Sequence, residues 1–128
     1  MLMARRLLIR NQDLDTVISS TALRALGIAK PVAISLSTRL TEDSSLYTFS
    51  SRALKRQLFC PPNAYQRVAF VSHNPAITQI AACLSTQPID NISTSGVVTF
   101  NCDINHWHEL TKNVCRMDYF DYPKKLSS

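Results

Sequence analysis

Two short strand-like runs, TVISS at residues 16–20 and RVAFVS at 67–72, each end in serine and pass straight into a helix-forming stretch. This pattern constrains the fold more than any other feature, because strands that alternate with helices assemble into a parallel or mixed sheet covered by helices. After the first run, Ala22, Ala25, Leu26, Ala29 and Ala33 recur at helical spacing through ALRALGIAKPVAISL. Ser20 or Thr21 is placed to cap that helix, and Pro31 to kink or interrupt it. After the second run, Asn74 stands as an N-cap and Pro75 in the first turn of a helix over 75–84, with Ile77, Ile80, Ala81 and Leu84 inward.

Between these units, residues 37–48 are polar and suit a loop with a short strand near Leu40. A helix over 51–59 is predicted from Ala53, Leu54, Leu58 and Phe59 on one side, and Pro61-Pro62-Asn63 stops it. Residues 2–10 carry apolar positions around Arg5, Arg6 and Arg10 and read as an amphipathic helix with a basic face. TQPIDNISTSG (86–96) reads as a loop, and residues 97–100, HWHEL (106–110) and CRMDYF (115–120) as strands.

At 128 residues, 45% hydrophobic and 18% charged, the chain has the size and apolar content of one domain, 1–128. No apolar run is long enough to span a membrane, and MLMARRLLIR carries three arginines where a secretory signal needs an unbroken apolar core. A cytoplasmic protein with no membrane partner is expected. The four cysteines form no Cys-x-x-Cys pair, so free thiols are expected rather than zinc or a redox dithiol. The net charge of +5 fits nucleic acid, an acidic protein or a phosphorylated substrate and does not choose among them; the basic residues are scattered and match no nucleic-acid motif, so nucleic acid is not expected as a partner.

In such sheets, ligands gather beyond the carboxyl ends of the strands. The first strand end supplies Ser19-Ser20 and then Arg24; the second supplies Ser72-His73-Asn74 at a helix start. Helix N–H groups, an imidazole and a guanidinium together suit a phosphate dianion, with Arg24, His73 and Asn74 as its ligands. His106, His108 and Asp103 could approach one another, but a divalent metal wants three or four converging ligands, and no metal site is expected.

VAFVSHNPAITQIAACL, followed by PIDNISTSGVV and FDYPKKL, resembles the second half of the SixA-type phosphohistidine phosphatases, a branch of the histidine phosphatase (phosphoglycerate mutase-like) superfamily. ISSTALRAL is similar to that family's Ser-Ser-Pro-Ala-x-Arg-Ala segment, with Thr21 in place of proline. The resemblance implies a phosphoglycerate mutase-like three-layer α/β fold, with helices on both faces of the sheet. It also implies a hydrolase needing neither metal nor cofactor, acting on phosphohistidine of a signalling phosphotransfer protein or on a small phosphate ester. Arg24 and His73 match the family's second arginine and second histidine, whose roles would be to neutralise the phosphoryl oxygens as charge spreads in the transition state. Glu42, with Asp43 beside it, is the candidate general acid.

One departure matters more than the rest. The family's first strand ends in Arg-His-Gly, whose histidine is the nucleophile, and this sequence contains no Arg-His-Gly. By the resemblance, the domain is N-terminally truncated and lacks a central strand beside the one carrying His73. Weak or absent turnover is expected, with a non-catalytic phosphate-binding or protein-interaction module as the alternative.

Overall fold

The computed structural model describes residues 14–62, 64–85 and 97–121. The predicted basic helix over 2–10, the loop over 86–96 and the segment from Tyr122 onward lie outside them.

The TVISS run forms β1 (Thr16–Ser19), which lies between β2 (Arg39–Glu42) and β3 (Val68–Val71) in a parallel sheet of order β2-β1-β3. Thr16 pairs with Arg39 on one side and Val68 on the other, and the ladder runs level to Ser19, which faces both Glu42 and Val71. All three strands therefore end at one edge. Three helices complete this unit: α1 (Leu23–Ser35) connects β1 to β2, α2 (Ser51–Leu58) precedes β3, and α3 (Ala76–Leu84) follows it.

Successive strand residues point to opposite faces, which sorts the core into two parts. Val17, Leu40, Ala69 and Val71 pack with Ala29, Val32 and Ala33 of α1. Ile18 and Phe70 turn the other way and join Leu54 and Leu58 of α2 and Ala76 and Ile80 of α3. The result is a three-layer α/β arrangement with α1 on one face and α2 and α3 on the other. Among the described residues, β3 pairs with β1 alone, and its second side carries no ladder.

β4 (Val97–Cys102) and β5 (Cys115–Asp121) form a separate antiparallel pair whose register shifts between Thr99 and Phe100. The predicted strand over HWHEL is absent; Trp107–Glu109 is a single 3₁₀ turn. Local hydrogen bonds decide this, because Glu109 Oε1 accepts from the N–H groups of Asn105 and His106 and closes the turn. Trp107 packs against the core, and its Nε1 donates to the carbonyls of Pro62 and Tyr65.

Pro31 does not interrupt α1, which runs through it as one helix. Proline cannot donate to the carbonyl four residues earlier, here that of Gly27, and a proline inside a helix costs about 3 kcal/mol. Burial of Ala29, Val32 and Ala33 on both sides of the ring offsets that cost.

Candidate functional site

After β1 the chain turns into α1 on one face of the sheet; after β3 it turns into α3 on the opposite face. Neighbouring strands whose connections part in this way leave a crevice at their carboxyl ends, the place where α/β sheets bind ligands. Ser20 and His73 meet at those strand ends. Ser20 Oγ lies 2.8 Å from His73 Nε2, bridging residues 53 apart in sequence. Ser20 is fully buried, and its backbone N–H is tied to the carbonyl of Val71, which locks the two strand ends together.

The structure assigns Ser20 a different task from capping. Ala22 occupies the cap position of α1 with no side-chain cap bond, while Ser20 Oγ accepts from the Ala22 N–H at 3.2 Å and turns toward the imidazole. A hydroxyl held this way can donate to a neutral Nε2 or accept from a protonated one, so it partners His73 in either charge state. The first turn of α1 carries no acidic residue, and neither does that of α3, so neither positive dipole end is offset by a carboxylate of its own helix turn.

His73 is partly buried, and that burial pushes its pKa below the ordinary value, with the nearby Arg24 charge acting in the same direction. Both effects favour the neutral imidazole. Arg24 itself is exposed on the first turn of α1, near enough for its charge to act on His73. Glu42 is exposed at the carboxyl end of β2, level with Ser19, and the Asp43 N–H that follows donates to the Ser19 carbonyl. Asp43 turns its Oδ1 to the Ser45 N–H, starting the 3₁₀ turn Ser44–Leu46. Asn74 Oδ1 accepts from the N–H and Oγ1 of Thr78, so this oxygen secures the start of α3. The assigned helix begins at Ala76, with Pro75 in the cap position.

Two residues that sequence reasoning passed over stand beside the imidazole. The Tyr47 ring centroid lies 5.0 Å from that of His73 and the Phe49 centroid 5.7 Å, with the two aromatic rings edge-on to each other. Their loop is anchored by Leu46, which is fully buried and whose carbonyl accepts from Ser72 Oγ at 2.6 Å. The available signal was SLYTFS itself, two large aromatics in a polar stretch with no helical or strand period to bury them.

His106 and His108 sit on the turn between β4 and β5, exposed and stacked on each other at 5.4 Å. Among the described residues, no three His, Cys, Asp or Glu side chains converge as a metal site would require. An apolar cleft between α2 and α3, lined by Leu58, Phe59, Ile80 and Leu84, includes none of the crevice residues.

Comparison with solved structures bears on the same edge of the sheet. A chain from Nakamurella multipartitia described as phosphohistidine phosphatase SixA superposes with a TM-score of 0.74 at 14% identity, over 95% of this chain and 78% of its own. A protein so described from Agrobacterium tumefaciens gives 0.74 at 18% identity, over 95% and 76%. The protein histidine phosphatase SixA complexed with tungstate gives 0.76 at 19% identity, over 98% and 79%. This chain has the SixA fold. No protein-family model matches the sequence, and no curated protein matches it either. At these identities the SixA likeness concerns the architecture: the parallel sheet and the helices that bring Ser20 and His73 together.

Proposed function

We propose that this domain binds phosphoryl groups in the β1/β3 crevice, as a phosphohistidine phosphatase-like module for phosphorylated proteins or small phosphate esters. The observation that carries the reading is the hydrogen-bonded pair of buried Ser20 and partly buried His73 at the switch point of a SixA fold, under the charge of Arg24. That one of the similar structures holds tungstate, a phosphate-like oxyanion, supports it.

The physical roles follow from the geometry. A dianion entering the crevice offsets the Arg24 charge that disfavours imidazolium, and its oxygens accept from the protonated ring, so binding draws a proton onto His73. Arg24 supplies a second set of donors, and the uncapped start of α1 supplies backbone N–H groups. Asn74 contributes by fixing the start of α3 next to His73. Glu42, exposed at the end of β2, is the candidate general acid for the leaving group.

Hydrolysis through a phosphohistidine intermediate needs a histidine nucleophile in line with the bound phosphorus. Of the three histidines, His73 is committed to Ser20, and His106 and His108 belong to the β4–β5 turn. We infer that these residues bind a phosphoryl group and by themselves support weak or absent turnover. The alternative, a purely binding module, uses the same crevice and differs only in turnover.

Titration of the His73 ring protons by NMR with tungstate or phosphate tests the reading. The expected result is saturable binding with a rise in the His73 pKa. A ring resonance that ignores both oxyanions would sink it.

A further inference from the structure

Among the described residues, the large hydrophobic side chains that stand exposed are Leu23, Ile34, Tyr47 and Phe49. Three of these four lie at the carboxyl edge of the sheet: Leu23 opens α1, and Tyr47 and Phe49 belong to the loop after β2. Tyr47 is 57% exposed and Phe49 59%, although each ring already leans on His73. Neither serves the core, since Leu46 next to them fills the buried position. The loop is also held firmly. Ser72 Oγ binds the Leu46 carbonyl, the Asp43 N–H binds the Ser19 carbonyl, and Ser50 takes part twice, its N–H bonding Thr48 Oγ1 and its Oγ accepting from Ala53. Two aromatic rings are thus presented to solvent at fixed positions beside the imidazole.

We propose that Tyr47 and Phe49 form a ring-reading wall that selects phosphoryl groups borne on a planar aromatic or heteroaromatic ring over those borne on an alkyl oxygen. This rests on the phosphate-site reading above and adds specificity-determining residues to it. A phosphoryl group held by His73 and Arg24 directs its substituent out of the crevice. A ring one bond from phosphorus then falls within the centroid separations of about 4.5–7 Å at which aromatic pairs attract, with Tyr47 and Phe49 as partners. A flexible alkyl chain gains only area burial there. A ring carrying positive charge, as an N-phosphorylated imidazole does on protonation, gains a cation–π attraction as well.

The test compares phenylphosphonate with methylphosphonate, neither of which can lose its substituent by hydrolysis, binding to the full chain by calorimetry or NMR. The wild-type chain is expected to favour the phenyl ligand about tenfold, equivalent to about 1.4 kcal/mol. Tyr47→Leu combined with Phe49→Leu keeps apolar bulk at exposed positions and removes both π faces, and should bring the ratio of the two affinities to about one. Tyr47→Phe alone should preserve the ratio. Equal wild-type affinities, or a double variant that keeps the preference, would overturn the wall and leave the phosphate site standing. A wild-type chain that binds neither phosphonate nor inorganic phosphate would overturn both.

Discussion

The same two strands, β1 and β3, are tied together at both ends, and the ties differ in kind. At the amino ends, the Asp15 N–H donates to the Arg67 carbonyl, and Asp15 Oδ2 accepts from the N–H groups of Gln66 at 2.6 Å and Arg67 at 2.9 Å. At the carboxyl ends, the tie is Ser20 Oγ to His73 Nε2. The first joins a carboxylate to fixed backbone donors and holds one charge state. The second joins a hydroxyl that can give or take a hydrogen bond to a ring that can gain a proton. Stitching that only has to hold uses partners whose charge does not change, whereas the end proposed to take a ligand keeps a group whose charge can.

Substitution at each end can break this contrast, and the largest expected effect is at the carboxyl end. His73→Ala should weaken tungstate binding about 10- to 100-fold, the scale of a lost charge-assisted hydrogen bond, with little change in the denaturation midpoint. A large stability loss with unchanged tungstate affinity would reverse the assignment and make His73 a structural tie. Arg24→Ala comes next, with affinity reduced about five- to tenfold because the guanidinium is exposed. The His73 pKa should rise in that variant, since one of the two causes lowering it is gone; an unmoved titration curve would show that burial acts alone.

At the amino end, Asp15→Ala should cost about 0.5–1 kcal/mol in urea denaturation, small because the carboxylate faces solvent, and leave tungstate affinity as it was. The backbone N–H groups of Arg67 and Gln66 hold the Asp15 carboxyl below its ordinary pKa of 3.8. Its contribution is therefore fully present above that value and disappears as pH falls through the lower folded value.

The smallest effect sharpens the comparison at the other end. His73 also titrates lower in the folded chain, so the unfolded chain binds the proton more readily, and acidification below about pH 6.5 should erode stability. Saturating phosphate should reverse that loss by favouring imidazolium. Identical acid sensitivity with and without phosphate, measured on wild type and His73→Ala, would show that the ring's charge is not linked to the ligand.

Much of the framework was legible because its signals are local. TVISS and VAFVS became β1 and β3, and the helices after them fell where apolar spacing placed them. HWHEL was misread because its alternation imitates a strand, while the bonds from Asn105 and His106 to Glu109 and from Trp107 to residues 62 and 65 close a turn. The interruption expected at Pro31 is absent for a related reason, since helix propensity counts the lost hydrogen bond and not the burial around it. Of the candidate site, His73 and Arg24 could be picked out from strand ends and from resemblance. Tyr47 and Phe49 could not, because a loop has no period to say where its side chains point.

The sequence by itself determined an α/β chain, the two strand-to-helix joints, and the residue types an oxyanion wants at them. Only the tertiary structure decided that these joints lie side by side. That depended on the order β2-β1-β3, with α1 and α3 leaving to opposite faces, which carries Ser20 to within 2.8 Å of a histidine 53 residues away. Strand order is set by which faces must be buried together across the whole domain, and no local stretch contains that information.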